Sequence, residues 1–215
     1  MKIERYINNS FEENTYIVYD DDTRECAIID PGCYSTAERE AITSSIAQLK
    51  LRPVMIVNTH CHVDHILGVN FLKKTYGIPF AANNADQYLL DNADLYGSMW
   101  GWKMDGKITI DIDCTEGTEL KVGNSILKCA ATPGHTPGGM AIYSDDGKFI
   151  FTGDTLFRGT IGRTDLPGGD YDAIIASIRN RLMRFDSQYE VFPGHGESTS
   201  IAEEAANNPM IGIED

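Results

Sequence analysis

The histidines of this 215-residue chain occupy three short segments, and their placement is the first sign of chemistry. His60, His62 and His65 fall within six residues, directly after an apolar run that reads as a strand. His135 and His195 each lie in a turn rich in glycine and proline that follows a predicted strand. Histidines with no common task would be scattered, whereas loops at strand ends display reactive side chains on a rigid support. The pattern therefore predicts that all five histidines are metal ligands.

The spacing of the first segment predicts two neighbouring metal positions. In an extended segment His60 and His62 project to the same side, so their imidazoles can bind one ion. Asp64 and His65 lie where the chain turns into a helix, and they can bind a second ion a few ångströms away. Two cations that close together need a carboxylate that bridges them and lowers their mutual repulsion. Asp154, which follows an apolar strand, fits that role.

Strands and helices must position these residues, and hydrophobic periodicity predicts where they lie. A hairpin is predicted over 15–30, and a helix begins at a capping box formed by Ser35 and Glu38 and ends by Pro53 at the latest. Further strands are predicted at 54–57, 119–122, 125–130, 140–143, 149–151 and 189–192, and further helices at 66–72, 85–95 and 171–185. No linker rich in proline or serine separates the two halves, so residues 1–215 are predicted to form a single domain.

Composition and charge narrow the range of partners. The chain has 18 Lys plus Arg against 32 Asp plus Glu, a net charge of −14. An acidic surface repels phosphate groups, so we expect a small-molecule substrate and neither nucleic acid nor a membrane as partner. No apolar stretch reaches the roughly 18 residues of a membrane span, the first residues do not resemble a secretory signal, and the five cysteines are scattered. We therefore expect a cytoplasmic protein, and nothing in the sequence indicates an obligate protein partner.

Four motifs, in order along the chain, resemble those of the metallo-β-lactamase superfamily. They are H-x-H-x-D-H at 60–65, TPGHTPG at 132–138, GDTLF at 153–157 and PGHG at 193–196. The resemblance implies an α/β (α+β) fold, a four-layer αββα sandwich in which two mixed sheets pack face to face and helices cover the outer faces. It also implies the metal ligands, which are His60, His62 and His135 for the first ion, Asp64, His65 and His195 for the second, and Asp154 between the two.

Within that superfamily the chain is similar to the glyoxalase II-like hydrolases of the short bacterial type, through the segment LFRGTIGRTD at 156–165. This resemblance implies hydrolysis of a thioester such as an S-acyl glutathione. Arg163 and Asp165 stand where glyoxalase II has a lysine and a nearby tyrosine that hold glutathione, and twenty residues follow His195 where glyoxalase II has a helical domain. The resemblance therefore implies the reaction class more strongly than the thiol.

Such a site favours a thioester for chemical reasons. Two divalent ions lower the pKa of a water held between them to about 7, which supplies a hydroxide nucleophile at neutral pH, with Asp64 and Asp154 as the catalytic carboxylates. A thiolate, whose conjugate acid has a pKa of about 8.5, departs without a proton, whereas an amine must be protonated before it departs. Imidazole and carboxylate ligands accept zinc, which we expect, and also iron or manganese.

Four residues are candidates for contacting the substrate, with ordinary surface or packing roles as the alternative. Arg158 and Arg163 follow Asp154 closely enough in sequence to pair with a substrate carboxylate. Trp100 and Trp102 lie in a glycine-rich segment and are candidates for the wall of an acyl pocket. Packing under a loop is the commoner role of such aromatic residues.

Other reactions remain alternatives. A persulfide dioxygenase shares the fold but binds a single iron through ligands of the His60, His135 and Asp154 type, and the complete second set of ligands favours a hydrolase instead. A nuclease is disfavoured by the net charge of −14. Lactonase and β-lactamase activities also belong to the superfamily, although β-lactamases of this fold lack an aspartate at the position of Asp154. A binding module without catalysis is least favoured, because no ligand is missing.

Overall fold

The computed structural model describes residues 1–212, and its first sheet carries one half of the candidate site. The strands of this sheet, in order across it, are β1 (Lys2–Asn8), β2 (Glu13–Tyr19), β3 (Glu25–Ile29), β4 (Arg52–Val57), β5 (Phe80–Ala82) and β6 (Ile112–Asp113). Strands β1, β2 and β3 are antiparallel, and β3 to β6 are parallel. The sheet is therefore mixed.

A second sheet carries the other half of the site. The remaining strands are β7 (Glu119–Val122), β8 (Ser125–Ala131), β9 (Met140–Ser144), β10 (Phe149–Gly153), β11 (Leu156–Phe157), β12 (Thr160–Ile161), β13 (Glu190–Pro193) and β14 (Thr199–Ser200). Strands β11 and β12 pair as a separate hairpin, and the others form a sheet in the order β14-β13-β10-β9-β8-β7. Its β10 and β13 run parallel while the other neighbours are antiparallel, so this sheet is mixed as well.

Helices cover both sheets. They are α1 (Thr36–Gln48), α2 (Val69–Tyr76), α3 (Gln87–Asp91), α4 (Ala93–Ser98), α5 (Tyr171–Asn180) and α6 (Ile201–Asn207), with 3-10 turns at Val63–His65, Asn84–Asp86 and Leu182–Arg184. Helix α1 begins at the predicted capping box, in which Ser35 Oγ accepts from Glu38 N and the Glu38 carboxylate accepts from Ser35 N. None of the helices within residues 1–212 has the length and hydropathy that crossing a membrane requires.

Apolar side chains fill three interfaces between four layers. Strand β3 shows the principle, because successive side chains of a strand point to opposite faces. Ile28 packs in the cluster that includes Ile42 of α1, whereas Ile29 packs in the cluster between the two sheets, which includes Phe151. A third cluster joins the second sheet to Ile174 of α5. The predicted four-layer αββα sandwich is confirmed.

The structure corrects several predicted elements. The helix predicted at 85–95 is divided into α3 and α4 at Asn92, whose side-chain amide donates to the Tyr88 carbonyl. The helix predicted at 171–185 ends at Asn180, and a 3-10 turn then brings Phe185 onto Tyr143, with ring centroids 4.8 Å apart. Strands β1, β5, β6, β11, β12 and β14 and helix α6 were not predicted. Residues 213–215, the end of the predicted domain, lie outside the described residues.

Candidate metal centre

The loop after β4 and the turn after β8 bring three histidines together. Candidate ligand atoms of His60, His62 and His135 all lie within 4.8 Å of one another. His62 Nδ1 is 2.8 Å from His135 Nε2, and the His60 ring centroid lies 5.0 Å and 4.9 Å from those of His62 and His135. His60 Nε2 is buried and has no hydrogen-bond partner among the described residues. These imidazoles form a first group that offers three nitrogen ligands.

A second group combines the 3-10 turn Val63–His65 with the turn after β13. His65 Nε2 is 3.3 Å from His195 Nε2. Asp64 Oδ2 lies 3.5 Å from His65 Nε2 and 3.2 Å from His195 Nε2. Two nitrogens and one carboxylate oxygen therefore converge, and such a mixture is a common ligand set for divalent transition metals.

Asp154 lies between the two groups, directly after β10. Its Oδ1 is 3.4 Å from His65 Nε2, and its Oδ2 is 3.4 Å from His135 Nε2 and 3.6 Å from His195 Nε2. A glycine at position 194 leaves room for this carboxylate, because a Cβ at Gly194 would lie 2.2 Å from Asp154 Oδ1. The Asp154 carboxylate thus faces both groups at once.

Backbone carbonyls fix the orientation of two imidazoles. His135 Nδ1 lies 2.8 Å from the Arg163 carbonyl, and His195 Nδ1 lies 2.9 Å from the Phe11 carbonyl. A carbonyl only accepts hydrogen bonds, so each Nδ1 carries the proton and each Nε2 presents its lone pair to the centre of the site. This outer hydrogen bond is the arrangement in which protein imidazoles bind metals.

The protonation states also suit a metal. Burial, reinforced by repulsion from neighbouring imidazoles, holds the pKa of His60 well below its usual value and lowers that of His62 to about 4. Burial alone would raise the pKa of Asp154, but the imidazole of His65 outweighs burial and holds this pKa well below its usual value. Metals bind neutral imidazoles and ionised carboxylates. The carboxylates of Asp64 and Asp154 outweigh burial and raise the pKa of His65 well above its usual value, so His65 must lose a proton when a cation binds. The unpartnered His60 Nε2 and Asp154 Oδ1, in a cluster of imidazoles and carboxylates, fit divalent cations.

The sequence profile described as "Metallo-beta-lactamase superfamily" matches residues 10–195, a range that contains every side chain of both groups and Asp154. The chain belongs to the metallo-β-lactamase superfamily. The resemblance stated from the sequence is therefore confirmed, and the chain is a metal-binding hydrolase of this superfamily.

Relatives within the metallo-β-lactamase superfamily match nearly the whole chain. The hydroxyacylglutathione hydrolase GloC of Haemophilus influenzae is 33% identical over 213 residues, which is 98% of either chain. The solved structure of BLEG-1 B3 metallo-beta-lactamase has a TM-score of 0.87 at 30% identity, and covers 99% of this chain and 100% of its own. The structure of TTHA1623 in a di-iron-bound form has a TM-score of 0.84 at 33% identity, with coverage of 96% and 98%.

Asp86 supports this metallo-β-lactamase centre from behind, and sequence reasoning missed it. Its Oδ2 accepts from the Cys61 backbone N–H at 3.0 Å and from Thr136 Oγ1 at 2.9 Å, and its Oδ1 accepts from the Gly138 N–H at 2.7 Å. The side chain is fully buried, and burial raises its pKa although the three donors oppose this. Asp86 joins the H-x-H-x-D-H loop to the turn that carries His135. Nothing local distinguishes it from an ordinary aspartate at the start of a helix.

Asp30 and Glu13 lie behind His65. Asp30 accepts from Thr59 N at 2.7 Å and Thr59 Oγ1 at 2.6 Å, and its Oδ2 is 3.4 Å from His65 Nδ1. Glu13 Oε1 is 3.9 Å from the same nitrogen, and burial raises the pKa of Glu13 well above its usual value. One signal could have indicated Asp30, because it directly follows a strand, as Asp154 does. Glu13 lies within a strand and carries no such signal.

The four candidate substrate residues lie in different environments. Arg158 is exposed in the turn between β11 and β12. Arg163 is exposed too, and its Nε and Nη2 each donate to the Asp165 carboxylate at 2.7 Å. Trp102 is buried, whereas Trp100 is 59% exposed. The structure therefore separates the two tryptophans, which the sequence had treated as a pair.

Proposed function

We propose that the chain hydrolyses a thioester, with S-acyl glutathione as the model substrate, and that it uses two divalent ions. The main observation that supports this proposal is the position of the Asp154 carboxylate. Its oxygens lie 3.4–3.6 Å from imidazole nitrogens of both ligand groups. The proposed ligands are His60, His62 and His135 for one ion, Asp64, His65 and His195 for the other, and Asp154 for both. The relative named hydroxyacylglutathione hydrolase supports the reaction class. Zinc, iron and manganese all suit these ligands, and the di-iron-bound neighbour supports iron in particular.

The chemistry that two divalent cations supply in such a site is Lewis acidity, which lowers the pKa of a bound water to about 7 and polarises a carbonyl oxygen. The chain's own residues orient the imidazoles and balance the charge of the cations. Asp154 and Asp64 add negative charge where two cations would otherwise repel each other. The Arg163 and Phe11 carbonyls hold the protons of His135 and His195 at Nδ1, away from the reacting atoms.

The shortage of proton donors favours a thioester over an amide. All five histidines of the sequence belong to the two groups, so no histidine is left to protonate a leaving group. A thiolate departs without a proton, while an amine needs one. The complete second group likewise favours a hydrolase over a single-iron dioxygenase. The net charge of −14 supports a small substrate over nucleic acid.

A β-lactam is the second candidate substrate. The similarity to BLEG-1 B3 metallo-beta-lactamase, at a TM-score of 0.87 over 99% of this chain, is the observation that favours it. Hydrolysis of the strained amide in a β-lactam ring requires a proton for the nitrogen leaving group. The two candidates are separable by a single substrate panel.

The panel tests the proposed function by the order of its rates. With one acyl group in common, we expect kcat/KM to be highest for the thioester, lower for an alkyl ester, and lower by about 100-fold or more for the amide, because general acid catalysis is worth about 10²–10⁴-fold. Steady-state assays of the metal-loaded protein, with a β-lactam in parallel, measure this order. Faster turnover of the β-lactam than of the thioester would replace the proposal by the second candidate.

Arg163 is proposed to contact a carboxylate on the thiol half of the substrate. Its guanidinium is shared with Asp165, so its effect on binding should be modest. We expect Arg163→Ala to raise KM for an acyl-glutathione by about threefold and Asp165→Ala to lower it, with a neutral thioester as the reference substrate. Equal changes in KM for the charged and the neutral thioester would show that Arg163 does not contact the carboxylate.

A further inference from the structure

An exposed apolar surface lies beside the candidate metal centre. It consists of Phe11, Leu95, Met99 and Trp100, and we call it the apolar lip. Leu95, Met99 and Trp100 are 60%, 72% and 59% exposed. Leu95 and Met99 are four residues apart at the end of α4, so they lie on the same side of that helix. Single exposed apolar residues are ordinary, but neighbouring ones that include a tryptophan mark a surface that binds something.

The lip is held in place rather than loosely exposed. The backbone N–H of Trp100 donates to the Gly97 carbonyl at 3.0 Å, and the backbone N–H of Trp102 donates to the same carbonyl at 2.9 Å. Between them Gly101 adopts a φ of +77°, which reverses the chain so that Trp102 turns inward while Trp100 stays at the surface. Phe11 contacts both indoles edge-on, with centroids 4.7 Å from Trp100 and 4.9 Å from Trp102. A rigid, exposed tryptophan loses little entropy when it binds a ligand.

The segments that carry the lip contact the residues of the metal centre at two places. The Phe11 carbonyl accepts a hydrogen bond from His195 Nδ1 at 2.9 Å. The residue that supplies one ring of the lip is therefore bonded directly to a member of the second group. On α4, a Cβ at Gly97 would lie 3.6 Å from Val63 Cγ2, in the turn that carries Asp64 and His65. The segments that carry the lip therefore pack against the second ligand group.

The two sides of the centre differ in polarity. On the side of the first group, the Arg163 carbonyl contacts His135, and Arg163 with Asp165 forms an exposed ion pair. On the side of the second group, the bordering surface is the apolar lip. A substrate carbonyl at the centre thus has charge to one side of it and hydrocarbon to the other.

We infer that the apolar lip binds the acyl chain of the substrate, and that this chain is an extended hydrocarbon of about four or more carbons rather than a short hydroxyacyl group. The inference rests on the proposed function for the thioester linkage. The four side chains of the lip carry no hydroxyl, amide or charge, and the hydroxyl of the neighbouring Ser98 donates to the Leu95 carbonyl at 2.7 Å. Each buried methylene strengthens binding about threefold to fourfold. The exposed Asp94 next to Leu95 and the net charge of −14 argue against an anionic membrane as the occupant.

The test uses alkyl thioethers of N-acetylcysteamine, which resemble the thioester but are not hydrolysed. Calorimetry with the metal-loaded protein compares the S-methyl, S-butyl and S-octyl compounds. We expect affinity to rise about threefold per methylene up to S-octyl, and Trp100→Ala to weaken S-octyl binding by roughly tenfold while Trp100→Phe restores most of it. Leu95→Ala gives a second variant, on α4. Ile126→Ala, which removes an exposed apolar side chain from β8 of the second sheet, is the control and should change nothing.

The outcomes separate this inference from the proposed function. Equal affinities for S-methyl and S-octyl compounds, or S-octyl binding that neither Trp100→Ala nor Leu95→Ala weakens, would overturn the inference. So would a shift from oligomer to monomer in Trp100→Ala, because the lip would then be a contact between copies of the chain. S-octyl binding that depends on Trp100 without hydrolysis of any thioester would support the lip and overturn the proposed function.

Discussion

Asp154→Ala should lower kcat for the proposed thioester by more than about 100-fold, which exceeds the 10–100-fold that loss of an outer-shell partner usually costs. The wild-type chain should bind two divalent ions, and the variant should retain no more than one. The reason is that Asp154 faces His65, His135 and His195 at 3.4–3.6 Å, so its removal takes away a ligand for both ions and the charge between them.

Elemental analysis of the reconstituted protein, together with steady-state kinetics, checks this expectation. Asp154→Asn keeps the size of the side chain and removes its charge, so it shows how much of the effect is electrostatic. Asp146→Ala, which removes an exposed aspartate from the turn between β9 and β10, is the matched control and should keep both ions. A variant of Asp154 with two ions and wild-type kcat would show that this carboxylate does not hold the two groups together.

Asp86→Ala should have the largest effect on the folded structure. Three donors (Cys61 N–H, Thr136 Oγ1 and Gly138 N–H) lose a buried acceptor, and each unsatisfied buried donor costs about 1–3 kcal/mol. We expect the free energy of unfolding of the metal-free protein to fall by about 3 kcal/mol or more. Because the loop with His60 and the turn with His135 lose their connection, the affinity of the first ion should fall by about 10–100-fold as well.

Urea unfolding and competition with a chelator measure the two effects separately. Asp91→Ala removes an exposed aspartate a few residues away and should change stability by no more than about 0.5 kcal/mol. If Asp86→Ala unfolded at the wild-type urea concentration and kept its metal affinity, Asp86 would be an ordinary buried polar residue with no role in aligning the two loops.

The clustering of the histidines could be predicted from the sequence because its signal is local. His60 and His62 alternate in an extended segment, and the strands before His135 and His195 are apolar enough to be recognised. Asp86 could not be predicted, because its three partners are 25, 50 and 52 positions away and its own surroundings resemble any helix start. Its importance comes from tertiary hydrogen bonds, which no periodicity records.

The strands of the fold could likewise be predicted where their signal is local in the sequence. Strands with clear alternation between turn signals, such as β7 and β8, were predicted within a residue or two. Two-residue strands such as β6 and β14 depend on the neighbouring strand for their existence. Trp100 and Trp102 lie in the same glycine-rich segment, and only the positive φ of Gly101 sends one to the surface and the other inward. The surface that we propose for acyl binding therefore required the structure.

Each of the two ligand groups combines residues from both sheets. The supply of metal ions therefore affects the stability of the folded protein. Each group combines side chains from the loop after β4 with a histidine from the second sheet, across 73 positions between His62 and His135 and 130 between His65 and His195. The groups exist only while the sheets stay docked, so bound ions stabilise the native state by about 2.7 kcal/mol at a concentration 100 times the dissociation constant. Proteases attack transiently opened chains in proportion to their population. A cell starved of the metal would then lose this enzyme by degradation as well as by inactivity.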